Sequence, residues 1–487
     1  MIECFGRNLR CKQREGAPRA PFEEMAASEA DDATRAGRSG GAAVPPVSCP
    51  SVSWPVATAI VIADMIGVGV FTSLGFQVKD LPSGFAILLL WAFGGLVSLC
   101  GALSYAELGT MFPRSSGEYN FLNRAFHPAI GFIAGWVSAT VGFAAPVALA
   151  AMAFGEYGRA VLPEVPPMLL AIGAVWIVTL VQLGGIRQSS RFQLLSTVVK
   201  LGLIVAFLVA GWAISAPQPV RFLPAASDIG YVGSAAFATS LVFVMYAFSG
   251  WNAATYIIGE LHAPERTLPR ALLLGTLIVL VLYMALNAVF LRAAPVSELA
   301  GQLQVASIAG ARIFGEAGGR FVAAMICVGL VPSIAAMMWI GPRVLMTMGE
   351  DIPALALFAR RSRNGAPAWA ILFQLTVATL MLFTESFEAV LDLVQFALLS
   401  CSFLTVLGLI RLRITQPELK RPYRAWGYPV TPLIFLSVTG FMMYYLITAR
   451  PWQAGLGALA MLSGLLIYWF AHARFRRTAA TAMSGSE

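Results

Sequence analysis

From residue 54 onward, long apolar runs alternate with short polar connections. Twelve runs are visible, at 54–77, 84–111, 130–153, 166–185, 191–215, 232–259, 269–292, 320–342, 367–385, 389–411, 428–448 and 452–473. Each is about long enough to cross a hydrocarbon layer roughly 30 Å thick as an α-helix rising about 1.5 Å per residue. Strands of a membrane barrel would be about ten residues long and of alternating character. The pattern therefore predicts an all-α integral membrane protein of twelve transmembrane helices.

Two runs are interrupted. The first reads MIGVGVFTSLG at 65–75, with Gly67 and Gly69 inside an otherwise apolar stretch, although glycine costs about 1 kcal/mol relative to alanine in a helix. The sixth reads FVMYAFSGWNAATYIIGE, with Ser249, Gly250, Trp251 and Asn252 near its middle. The two runs lie five apart and travel in opposite directions, and both interruptions fall roughly halfway along. This placement predicts a five-plus-five inverted repeat whose first and sixth helices are unwound at the midplane around one site. The expected organisation is a cytoplasmic tail over 1–50, which its composition reads as disordered, then repeats over 51–215 and 216–415. Two further helices over 416–473 and a short tail over 474–487 complete it. Gly94, Gly95, Gly131, Gly135 and Gly173 read instead as small residues that let helices approach.

A helix broken in lipid frees peptide groups that cost several kcal/mol unless protein, water or ligand satisfies them. Amides at the start of the second half of the first run, after Gly67, favour an anion such as a carboxylate. Carbonyls from Tyr246 to Ser249 suit an ammonium group, and glycine leaves the backbone approachable. A zwitterion with adjacent charges, an α-amino acid, satisfies both. The expected substrate site is thus Ile66, Gly67, Val68 and Gly69 with Tyr246, Ala247, Ser249, Gly250, Trp251 and Asn252, the last two lining the side-chain pocket.

Charge sets the orientation. Of 33 Lys and Arg residues, 25 fall in the connections and tails that share a side with the N-terminus, and seven in the alternate loops; Lys200 lies within a run. Cytoplasmic loops carry this excess, so both termini are assigned to the cytoplasm. The net charge of +8 in a chain with 12% charged residues and a mean hydropathy of +0.74 reads as orientation signal towards lipid head groups, with no nucleic-acid partner. The six cysteines lie in the first 50 residues or within runs, and no Cys/His spacing suggests a metal. No cofactor is implied.

Two charges lie deep in runs, where their cost marks function. Asp64 and Lys200 sit at matching depth, about 15 Å from the cytoplasmic side. They are expected to pair, either as a coupling site whose protonation follows transport or as a static ion pair. Glu107, with Arg114 and Glu118, reads as a cytoplasmic salt-bridge cluster or gate. His127, His262 and His472 fall on the cytoplasmic side, away from the midplane. Glu385 and Glu388 read as outer-loop charges, and 304–319 as a short helix over the outer vestibule.

Five blocks resemble the amino acid-polyamine-organocation permeases, particularly the L-type and related bacterial amino acid transporters. They are IGVGVFTSLGF at 66–76, LSYAELGTMFPRSSGEYNFL at 103–122, YAFSGWNAATYIIGELHAPERTLPRAL at 246–272, PRVLMTMGED at 342–351 and RPYRAWGYPVTP at 421–432. The resemblance implies a leucine-transporter-like fold, a carboxylate-binding loop at Gly67, Val68 and Gly69, and amine-binding carbonyls at Tyr246, Ala247 and Ser249. It makes Tyr246 an outer aromatic gate. It also matches Lys200 to a lysine standing where sodium-coupled relatives bind their ion, which implies proton coupling or exchange. Asp64 departs from the family pattern. L-type members carry a cysteine after the third helix that tethers a heavy chain; GEYGRAVLPEVPP has none, so no obligate disulfide-linked partner is expected.

The expected protein is therefore a secondary amino acid transporter of the plasma or bacterial inner membrane, working by alternating access. An enzyme is not expected, since no P-loop, G-x-S-x-G or H-E-x-x-H motif is present. The alternative within transport is a polyamine or organic cation, which would need an unneutralised acid at the site; Asp64 is the deep candidate.

Overall fold

In the computed structural model the described residues are 52–484, except 215, 233, 303, 385, 386 and 450. The expectations for the first 50 residues, Glu385 and the side chains of Glu388 and His472 lie outside them. Every apolar run is mainly helical. The first is split into α1 (Trp54–Met65) and α2 (Gly69–Asp80), followed by α3 (Gly84–Met111) and a short α4 (Glu118–Ala125). Then come α5 (Pro128–Val137), α6 (Ala144–Arg159), α7 (Pro167–Leu183), α8 (Ile186–Trp212) and α9 (Ala235–Ala247). Apart from single turns, there follow α10 (Pro264–Ala293), α11 (Val305–Phe314), α12 (Glu316–Asp351), α13 (Ala368–Leu382), α14 (Phe387–Thr415), α15 (Val430–Ala449) and α16 (Pro451–Ser484). Among the described residues, eight helical stretches are long and apolar enough to cross a membrane, and five shorter ones are apolar.

The surroundings of these helices are apolar inside and out. Leu180 on α7 and Leu195 on α8 are each 67% exposed, whereas α1 and α2 are 94% buried over their most apolar window. Leucines facing outward on helices this apolar mark a lipid-facing surface. The first broken helix lies inside the bundle: α10 packs on α1 and α3, and α12 packs on α1, α6 and α8.

Three details depart from the sequence expectation. The third run is not one regular helix, since Ser138–Gly142 forms a π-turn between α5 and α6. The last helix continues to Ser484, past the predicted end at 473. Glu107, Arg114 and Glu118 do not form one cluster. The Arg413 guanidinium grips Glu107 at 2.9 and 2.5 Å, Arg421 adds a contact at 3.4 Å, and the Ala425 amide donates to it at 2.7 Å. Arg114 instead makes a two-pronged pair with Asp351 at 3.0 and 2.6 Å, where the Tyr119 hydroxyl also donates at 2.7 Å. Each arginine's planar fork finds the nearest carboxylate that can accept it twice, and those partners come from other helices.

With Arg343 on Glu260 at 2.8 Å, these pairs join the sequence blocks to one another. Block 103–122 is tied to 342–351 by Arg114–Asp351 and to 421–432 by Glu107–Arg421, and block 246–272 is tied to 342–351 by Glu260–Arg343.

Candidate functional site

The first helix stops at Met65 because Ile66 leaves helical geometry, at φ −76° and ψ 75°. The Gly67 amide turns back to the Met65 carbonyl at 2.7 Å, and the next helical contact is Phe71 N–H to Val68 O at 3.0 Å. In between, the Val68 amide meets no acceptor among the described residues, and Gly69 and Val70 open the first turn of α2. These are the orphan donors of a helix N-terminus. The two glycines do different work. A Cβ on Gly67 would have no atom within 4 Å, so the backbone faces open space there. A Cβ on Gly69 would fall 2.8 Å from Ala247 Cα, so this residue must be bare for the two broken helices to touch.

On the opposite side, α9 ends at Ala247 and the chain resumes as a 3₁₀ segment, Ala253–Glu260. Gly250 lies between them at φ +96°, a conformation that side chains disfavour. A Cβ here would also collide with Asp64, 2.5 Å from Oδ2. The Tyr246 carbonyl is taken by the Ser249 amide at 2.9 Å. Among the described residues, the carbonyls of Phe248 and Ser249 accept no donor. Of the carbonyls expected to face an amine, Tyr246 to Ser249, those of Tyr246 and Ala247 are already engaged, while those of Phe248 and Ser249 are free among the described residues.

The Tyr283 hydroxyl lies 2.8 Å from the Ala247 carbonyl and 2.6 Å from that of Met65, and so staples the two breaks. Sequence reasoning missed it, as it missed Ser333. The Ser333 hydroxyl lies 2.7 Å from the Ile66 carbonyl and 2.6 Å from Lys200 Nζ. A lone hydroxyl on an apolar helix leaves no periodic signal.

Asp64 and Lys200 do not form the expected ion pair. The Lys200 ammonium donates to the carbonyls of Ile66 and Ala63 and to Ser333, while its stem borders an apolar cavity with Phe71, Ile204, Phe207 and Phe290. The reason is the C-terminal end of α1: its unsatisfied carbonyls and the negative end of the helix dipole hold a cation. Equal depth along two helices does not dictate rotation about their axes, and the Asp64 side chain is turned towards Gly250. It is 6% exposed, and its Oδ1 has no hydrogen-bond partner among the described residues.

The remaining expected site residues divide. Tyr246 is buried at the break. Trp251 packs edge-on against Tyr105 and Phe435, ring centroids 4.7 and 5.7 Å away, and fills the bundle between α3 and α15. The Asn252 amide lies 3.4 Å from Glu118 Oε1, which also accepts from Tyr105 at 2.5 Å and Ser402 at 3.1 Å. Glu118 Oε2 is buried without a partner.

Glu118 belongs to the connection between the second and third runs, and its surroundings move its protonation. Burial pushes the carboxyl up from 4.5 to about 7, against the opposing pull of the Tyr105 and Ser402 hydroxyls. A raised carboxyl pKa means that the folded protein holds a proton which the unfolded chain gives up. Its contribution is fully present below about 4.5 and is lost as pH rises towards 7. The thermal midpoint of purified protein should therefore fall across that window, and Glu118→Gln, which keeps the acceptor, should flatten the profile.

Comparison with known proteins gives the same frame. Residues 52–471 match the model of the amino acid permease family. The human b(0,+)-type amino acid transporter 1 is 27% identical over 426 residues, covering 85% of this chain and 87% of the relative. The cystine/glutamate transporter of Pongo abelii is 28% identical over 84% of this chain and 83% of its own. The human large neutral amino acids transporter small subunit 2 is 26% identical over 91% and 83% respectively.

Proposed function

The chain belongs to the amino acid permease family, and we propose that it carries amino acids across a membrane by alternating access, as a secondary transporter. The observation that carries this reading is the facing pair of helix breaks. The first-turn amides at Val68–Val70 and open space at Gly67 lie on one side, and free carbonyls at Phe248 and Ser249 on the other. An α-carboxylate takes the amides and an α-ammonium the carbonyls. Ile66, Gly67, Val68, Gly69, Tyr246, Ala247, Ser249, Gly250 and Asn252 form or border this cradle, with Tyr246 as the outer gate and Glu107 in the inner ion-pair cluster. Four of the five shorter apolar helices, taken with the eight long ones, make twelve crossings in two inverted groups of five plus two, with both termini cytoplasmic in a plasma or bacterial inner membrane.

Sodium coupling does not fit. The oxygen cluster of Ile66, Ala63 and Ser333, which would suit a small cation, is engaged by the Lys200 ammonium. Proton coupling or exchange remains. One relative is by name a small subunit; the connection 155–167 here has no cysteine, and we read this chain as working without a disulfide-linked heavy chain. The test is uptake of a labelled amino acid mixture into proteoliposomes. Uptake should persist within about twofold when choline replaces sodium, and a tenfold loss would contradict the coupling reading.

A further inference from the structure

We propose that Asp64 selects amino acids with a cationic side chain, by serving as the counter-ion for a second ammonium or guanidinium group. The inference rests on the cradle proposed above and adds the substrate class. Asp64 is a buried carboxylate with an unpartnered oxygen, and its Oδ2 lies 2.5 Å from where a Cβ of Gly250 would stand. Two features keep it there. Gly250 at φ +96° carries no side chain to occupy the space, and Lys200 is spent on Ile66, Ala63 and Ser333. Among the described residues no Lys, Arg or His nitrogen lies within ion-pair distance of Asp64. A buried carboxyl with no cation in ion-pair contact is costly to ionise, and in a membrane-spanning helix such a group marks a ligand or ion path.

The cation it awaits is not the α-ammonium. That group is bonded to the same carbon as the carboxylate, which the Val68–Val70 amides hold, and the free carbonyls of Phe248 and Ser249 receive it. Asp64 precedes Gly67 by three residues, about 5 Å further back along the helix rise. A lysine or arginine side chain crosses that gap, and a carboxylate at its far end pairs with the terminal charge. Recognition of this kind excludes a neutral isostere strongly, because binding it would leave Asp64 buried and unpaired.

The test compares substrates that differ only in that charge. In proteoliposomes, lysine should compete for uptake at least tenfold better than norleucine, and arginine at least tenfold better than citrulline. Asp64→Asn should shrink both preferences tenfold or more. Should norleucine compete as well as lysine while both are carried, the proposal is overturned and the amino acid reading survives. Should cadaverine compete and no amino acid do so, both fall. If Asp64→Asn is not recovered as folded protein, the wild-type pairs decide alone.

Discussion

Gly67→Val will abolish amino acid uptake while the ligand-free protein keeps its thermal midpoint within about 2 °C. A Cβ added at Gly67 has no atom within 4 Å, so the new side chain enters open space. The same side chain fills the space in front of the amides at the start of α2, where the proposed site places the substrate carboxylate. Gly69→Ala separates packing from binding. Its Cβ falls 2.8 Å from Ala247 Cα and 2.9 Å from Ala247 Cβ, so the two broken helices must move apart. Overpacking of this kind costs about 1–3 kcal/mol, and the thermal midpoint should drop by several degrees along with uptake. Thermal unfolding and initial uptake rates, measured on both variants, check the pair. Equal loss of stability at the two positions would mean that Gly67 is a packing glycine.

Lys200→Met should lower uptake at least a hundredfold, about 2.7 kcal/mol of lost stabilisation. The ammonium donates to Ile66, Ala63 and Ser333 at the end of α1, and hydrogen bonds from a charged group contribute roughly 1.5–3 kcal/mol each. Methionine keeps the stem's contacts with the apolar cavity, so the fold survives. What is lost is the clamp that fixes the geometry of the break. Initial rates measured between external pH 5 and 8 add a second reading. A variant within threefold of wild type across that range would remove Lys200 from the cycle.

Both predictions turn on the helix breaks, which were readable in the sequence because glycine and Ser-Gly-Trp-Asn are conspicuous in runs that lipid would otherwise make uniform. The positions of Asp64 and Lys200 along their helices were readable for the same reason: a charge among leucines stands out. Their partners were not. Depth follows from counting residues, but azimuth depends on how α1, α8 and α12 are turned against one another, and that turned Lys200 to Ile66 and Asp64 to Gly250. Tyr283 and Ser333 escaped notice because one hydroxyl on a buried helix changes no pattern, although each holds an end of a break. The inner charges were visible one by one, while their pairing was not, since Glu107 finds Arg413 across 306 residues. Trp251 looked like a pocket residue by its position, yet its ring is taken up by Tyr105 and Phe435.

The most direct measurement is an experimental structure of the protein with a transported amino acid bound. The substrate's α-carboxylate should lie within hydrogen-bonding distance, about 3 Å, of the amides of Val68, Gly69 and Val70, with its α-ammonium on the carbonyls of Phe248 and Ser249. A substrate bound elsewhere in the bundle, with those amides still free, would contradict it.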